Sequence, residues 1–317
     1  MESARQIRAL SLLRHACQGC GGSCQGVRVR PVGDAEKAHI EALGAQLAIV
    51  DPWEDSALRQ VDGQCVFLDD TRRCRIHTTF GAEAKPRICR QYPHVLLETE
   101  AELRAGIDPG CYTAWRTWRT EAPRELEAYG AAQVRFDPAQ QQPEAALLSL
   151  TGRPGATVAR LLQTLCPGEP EGREGLPKGL SGRLVSRIQG AGLGTAIEQP
   201  DAGPSLRDAL RPVVAAFARF DAASPPPWPA LDTDQDAWAV ETTRRMVFLR
   251  LAPQLPVPGS ALLVLAGAVA CAWADPRPEA FGPALAAWTR GLRAPAFWRA
   301  LVPQPDVLQW LATGQVA

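Results

Sequence analysis

The sequence predicts an α+β, mainly α protein, in which a small cysteine-rich, metal-binding N-terminal domain is followed by a helical bundle domain. Three observations predict it. Seven of the nine cysteines and all four histidines (His15, His39, His77, His94) fall within the first 111 of 317 residues. Beyond Ala145 the chain becomes rich in Ala, Leu and Pro, with apolar residues at helical spacing. Hydrophobic residues make up 46% and charged residues 21%, a globular balance. The expected division is a cysteine-cluster domain over 1–130, a linker over 131–150 and a helical domain over 151–317. Within the linker, Ala131–Glu144 carries the Pro- and Gln-rich run PAQQQPE.

Taken in order, Gln6–His15 reads as a helix that delivers the chain into CQGCGGSC, residues 17–24. HVLLE (His94–Glu98) and ELRAGI (Glu102–Ile107), split by three residues, read as a small hairpin. Asp108, Pro109 and Gly110 lead to Cys111, and an amphipathic helix follows with Trp115 and Trp118 on one side. In the second part, Val158, Leu161, Leu162 and Leu165 follow i, i+3, i+4, i+7 spacing. Leu180, Leu184 and Ile188 repeat at four, and Phe281, Leu285, Trp288 and Leu292 step by four, three and four. SPPPWP, PQLPVPG and DPRPE separate these segments. The most apolar run, Ala261–Ala274, falls short of the roughly 18–20 residues of a membrane span and reads as a buried helix.

Formal net charge is +0, which argues against a general nucleic-acid partner. The start, MESARQIRAL, has neither an apolar run nor a cleavage site. The expectation is therefore a cytoplasmic protein with no membrane partner, in a reducing compartment where clustered thiols hold metal more often than they form disulfides.

CQGCGGSC places Cys17, Cys20 and Cys24 on one glycine-rich loop. Glycines let the backbone take positive φ and approach the sulfurs, so such a loop can supply three ligands to one centre. Cys65, Cys74, Cys89 and Cys111 follow at longer gaps, which suits ligands arriving from separate loops. Arg72, Arg73, Arg75, Lys85, Arg87 and Arg90 crowd the chain near Cys74 and Cys89, and are expected to lower the thiol pKa values. His77 and His94 are close enough in sequence to ligate or to support a ligand. Cys166 and Cys271 each sit alone in an apolar helix and read as inert core residues. Spacing alone leaves iron–sulfur and zinc both open, since each takes thiolates in near-tetrahedral array.

The order CQGCGGSC, CVFLDD, CRIHTTFGAEAKPRICRQYPHVL and GC at the head of a helix resembles the YkgJ-type cysteine-cluster proteins, described as zinc- or iron-chelating. Within them it is most similar to the flagellin lysine-N-methylase branch, through the Gly81–Pro86 segment, Tyr92-Pro93 before the strand pair, and Cys111 opening a helix. The resemblance covers about residues 10–120. It implies that Cys17, Cys20, Cys24, Cys65, Cys74, Cys89 and Cys111 hold metal, first as a 4Fe–4S iron–sulfur cluster, with zinc as the alternative. It also implies S-adenosylmethionine as methyl donor and lysine side chains of a partner protein as substrate. One departure stands out. Many members have a cysteine pair at the third position of the first motif, and here Gln25 replaces the second cysteine, which argues against two separate centres.

Neither the Cys-x3-Cys-x2-Cys of radical S-adenosylmethionine enzymes nor a Gly-x-Gly-x-x-Gly donor turn occurs here. Two function classes follow. One is an iron–sulfur-dependent protein lysine N-methyltransferase, with Trp115, Trp118 and Arg244 as pocket residues. The other is a zinc-stapled, non-catalytic protein-interaction module. A Cys17/Cys20 thiol redox protein is more distant, because a helix rather than a strand is expected before the motif.

Overall fold

Among the described residues the first element is a strand, not the expected helix. β1 (Ile7–Ala9) pairs in parallel with β7 (Leu103–Ile107), setting Ile7 against Leu103 and Ala9 against Ala105. A segment as short as Gln6–His15 is a marginal helix on its own, and pairing with the edge of β7 satisfies its backbone instead. The computed structural model describes residues 7–10, 13, 15, 17–27, 29–99, 102–120, 132–133, 138–166, 192–199, 202–221, 227, 229–294 and 297. The helix expected over Leu180–Ile188 lies outside these residues.

The N-terminal part continues with α1 (Asp34–Gln46), the two-residue strands β2 (Trp53–Glu54), β3 (Ala57–Leu58), β4 (Gln60–Val61) and β5 (Gln64–Cys65), then α2 (Arg75–Phe80) and α3 (Arg87–Gln91). The hairpin reads as anticipated: β6 (His94–Glu98) runs antiparallel to β7, with His94 facing Ile107 and Glu98 facing Leu103. With β8 (Ala132–Gln133) parallel to β6, the sheet order is β1-β7-β6-β8. A small core of Ile40, Leu43, Ile49, Leu58, Phe67 and Ile76 underlies the loops, with Cys65 and Cys74 packed on it.

After the short α4 (Ala114–Thr117), the helices are α5 (Gln141–Thr151), α6 (Val158–Leu165), α7 (Leu193–Ile197), α8 (Pro204–Phe217), α9 (Thr233–Phe248), α10 (Val257–Ala274) and α11 (Pro278–Gly291). Residues 131–150, read as a linker, thus contain most of a packed helix. Pro143 falls in the first turn of α5, where it removes no helical hydrogen bond, and Leu147 is buried. Asp232 and Gln235 form a capping box that starts α9. α10 is the axis of the bundle, touching α5, α6, α8, α9 and α11, and is 83% buried within the fold. At Gly267 a Cβ would lie 2.3 Å from Nε1 of Trp288, so only glycine lets α11 seat its tryptophan there. That indole donates to the Leu263 carbonyl at 2.9 Å.

The two parts share a core. Ile107, Cys111, Tyr112 and Ala114 belong to the same apolar cluster as the helices. Buried charge reinforces the join. Arg104 of β7 meets Glu144 of α5 at 2.7 Å, Glu144 meets Arg250 at 2.6 Å, and Arg104 donates to the Phe248 carbonyl at 3.0 Å. A buried charge needs such partners to offset its desolvation.

Candidate metal centre

The cysteine loop is held by backbone. Gly19 and Gly21 have φ of +66° and +63°, and the Cys24 amide donates to the Gly21 carbonyl at 2.9 Å. A Cβ on Gly21 would lie 1.7 Å from the Arg72 carbonyl oxygen, so the loop rests on the 69–74 turn. Beyond it Gln25 pairs antiparallel with Gln64. That single bridge sets the residues next to Cys24 and Cys65 side by side.

The CVFLDD stretch folds for a local reason. Asp69 Oδ1 accepts from the Thr71 and Arg73 amides, each at 2.9 Å, and from the Thr71 hydroxyl at 2.6 Å. The Thr71 hydroxyl, then the Arg73 amide, hold the Asp69 carboxyl below its usual range. The closed turn brings Leu68 and Cys74 together as a bridge, and Cys74 caps α2. Cys89 rides on α3, which Glu36 of α1 pins by accepting from the Arg87 and Val32 amides at 2.7 and 2.6 Å. Cys111 follows β7 after a turn in which Asp108 Oδ1 accepts from the Gly110 amide at 2.7 Å.

All seven N-terminal cysteines line one cavity of about 120 Å3, whose apolar wall includes Val29, Leu58, Phe67 and Ile76. Cys17 and Cys20 are exposed at its edge, Cys111 is buried, and the other four lie between. Among the described residues no three His, Cys, Asp or Glu side chains are arranged to grip a single ion. The thiols surround the space rather than meet at a point.

Burial sets the acidity of Cys24, Cys65, Cys89 and Cys111, and at Cys89 this corrects the expectation from the basic residues. Burial, reinforced by Cys65 and Cys74, pushes Cys24 up to about 12. Burial pushes Cys65 up to about 11 and Cys89 well above the ordinary value, and brings Cys111 to about 11 against hydrogen bonds from Thr113. Lys85 draws Cys89 down but is outweighed. The arginines are engaged elsewhere: Arg72 with Asp208 at 3.0 Å, Arg73 with Asp69 at 3.8 Å, Arg90 with Glu83 at 3.1 Å, and Arg75 with the Leu47 carbonyl. Metal uptake by protonated thiols releases protons, so affinity should rise with pH.

Of the histidines, His77 lines the cavity, and burial followed by Lys85 lowers its pKa. His94 is buried with Nδ1 against the Gln91 carbonyl, and His39 is exposed on α1. His15 also lines the cavity and is only 3% exposed; the sequence reading assigned it no role. Its signal was its place two residues before Cys17.

Trp115, Trp118 and Arg244 do not line the cavity. Trp115 packs on Gly282 and donates to the Tyr112 carbonyl, Trp118 lies tilted against Trp238 at 5.5 Å, and Arg244 faces Glu241 at 3.8 Å. Their apolar and ionic partners in the bundle explain them without a substrate. Cys166 and Cys271 are buried in the helical core. Gln25, at the position of the missing cysteine, accepts from the Ser205 amide at the start of α8, and its carbonyl accepts from Arg290 at 2.9 Å.

Residues 16–112 match the family model CxxCxxCC, described as "Putative zinc- or iron-chelating domain". Over 102 residues, 31% of this chain, the sequence is 24% identical to "Flagellar biosynthetic protein FliU" of Salmonella muenchen. The chain spans 60% of the length of that curated relative. No solved structure matches. Residues 16–112, the stretch that carries the seven thiols around one cavity, are thus similar to a family described as zinc- or iron-chelating.

Proposed function

We propose that the cysteine cavity holds an iron–sulfur cluster, 4Fe–4S in its first reading, and that the protein uses it to methylate lysine side chains of a partner protein in the cytoplasm. The observation that carries the metal half is the width of the donor set. A tetrahedral zinc with Zn–S about 2.3 Å draws its four sulfurs to roughly 3.8 Å of one another. Here seven thiols line a space of about 120 Å3 without three of them gripping one point. A polynuclear cluster fits thiols that line a space rather than converge on one point. Cys24, Cys65, Cys74 and Cys89 suit it best: an isolated bridge joins Gln25 and Gln64, the neighbours of Cys24 and Cys65, and the thiols of Cys65 and Cys74 raise the pKa of both Cys24 and Cys89.

The methylase half rests on the likeness to the flagellin lysine-N-methylase branch and to the FliU protein. A bound cluster would supply an iron able to hold the amino-acid end of S-adenosylmethionine. The chain's own part is to present that cluster behind an apolar wall, with Cys17 and Cys20 at the exposed edge. The helical half would dock the substrate protein.

The test is metal and acid-labile sulfide analysis, with a visible spectrum, on protein purified without oxygen. Iron with matching sulfide and a broad brown absorption is the expected result, and S-adenosylmethionine should then perturb the spectrum. One zinc and no iron would overturn the cluster and leave the zinc-stapled interaction module, which the family description also allows.

A further inference from the structure

His15 is built into the wall of the cavity as a metal donor would be. Its Nδ1 lies 2.7 Å from the Thr117 hydroxyl oxygen, and its Nε2 lies 3.8 Å from the Cys111 sulfur. The Thr117 hydroxyl reaches the Ala114 carbonyl at 3.5 Å, so its proton points there and its lone pair accepts Nδ1–H. That tautomer leaves the Nε2 lone pair toward Cys111. Metal-bound histidines are held in the same way, by a hydrogen bond at the other ring nitrogen. The His94 ring stands edge-on to His15 at 6.5 Å and limits its rotation.

The spacing fits one shared atom. Bonds of about 2.0 Å to nitrogen and 2.3 Å to sulfur, at a tetrahedral angle, put the two donors roughly 3.5 Å apart. The observed 3.8 Å is close to that bite.

The donor count also fits. Cys24, Cys65, Cys74 and Cys89 make one set of four. Cys17, Cys20 and Cys111 remain on the same cavity wall, and His15 stands beside Cys111.

We propose that His15 Nε2 and Cys111 Sγ together bind one metal atom as a mixed nitrogen–sulfur pair on the cavity wall, distinct from the four-thiolate set. Binding takes the proton from the Cys111 thiol to solvent and leaves His15 neutral. The proposal rests on the cysteine cavity being a metal centre. It adds a histidine to the seven cysteines expected as ligands, and a separate metal position that Gln25 argued against.

The test uses the full chain, purified without oxygen and labelled with 15N-histidine. Metal content is counted, X-ray absorption at the iron and zinc edges gives the nitrogen and sulfur shells, and pulsed EPR of the reduced protein looks for directly bound nitrogen. The expected result is a metal-bound histidine nitrogen that His15→Gln abolishes, with loss of about one metal atom per chain and retention of the rest. Should His15→Gln fail to fold, His15→Cys keeps a donor: metal content should hold while the nitrogen signal disappears. Thr117→Val should keep the metal but weaken its affinity about 10–100-fold. An all-sulfur shell unchanged in His15→Gln overturns this proposal and leaves the cluster reading standing. Protein that neither contains nor takes up iron or zinc overturns both.

Discussion

Gln25 Oε1 accepts a hydrogen bond from the Ser205 amide at 2.6 Å, so the residue that follows the cysteine loop closes the first turn of α8 from 180 positions away. Gln25 is 2% exposed, and Arg290 of α11 grips its carbonyl. A family cysteine at this position could not make that bond well. The substitution turns a position at the metal loop into a fastening for the helical half.

Gln25→Met keeps the volume and removes the acceptor. It should cost about 1–2 kcal/mol, the range for a lost helix cap or an orphaned buried amide. Metal content should be unchanged. Denaturant unfolding and metal analysis check the two halves; a loss of metal without a loss of stability would mean that Gln25 serves the centre instead.

Asp108 and Arg293 form a buried two-pronged ion pair, with Nη1 2.6 Å from Oδ2. Burial alone would raise the Asp108 carboxyl, but the charge and hydrogen bonds of Arg293 outweigh it and hold the group below its usual range. Folding therefore favours the ionised form. The stability it contributes is present above the unfolded carboxylate value and is lost as pH falls through the lower folded value, in the window below about pH 4. Asp108→Asn should flatten the acid limb of the stability curve. Arg293→Met, which strands the carboxylate, should cost about 3 kcal/mol at neutral pH.

Gly21 and Gly19 share a left-handed backbone but differ in surroundings. A Cβ at Gly21 meets the Arg72 carbonyl at 1.7 Å, whereas at Gly19 it meets nothing within 4 Å. Gly19→Ala should cost only the backbone penalty of about 1 kcal/mol. Gly21→Ala should lift the loop from the 69–74 turn, separate Cys24 from Cys65 and lower metal content. Equal metal content in the two variants would show that the loop is not positioned by this contact.

Serine at Cys24, Cys65, Cys74 or Cys89 should remove most bound metal. Alanine at Cys166 or Cys271 should leave metal content intact and cost about 1 kcal/mol in core packing. Metal analysis on each purified variant separates the sets, and loss of metal in Cys271→Ala would break the division between donor and core cysteines.

The hairpin and the helices of the second half were legible because each follows a local period: two along His94–Glu98, and 3.6 along Val158–Leu165 and Phe281–Leu292. Ile7–Ala9 was misread because its strand state comes from pairing with Leu103–Ala105, about 96 positions away, which no local pattern encodes. Gln141–Thr151 was misread because Pro and Gln resemble a linker until the buried Leu147 is seen against α9 and α10.

By itself the sequence determined the chemistry: which residues are thiols, that three share a glycine loop, and that the chain divides into a cysteine-rich part and a helical part. Only the tertiary structure decided that loops 24, 65, 74, 89 and 111 close on one cavity, that the arginines turn away to carboxylates and carbonyls, and that His15 stands beside Cys111. The reason is physical. Residue type and short-range spacing fix what a side chain can donate. Burial, orientation and neighbours decide what it meets, and these come from contacts made between distant segments when the core forms.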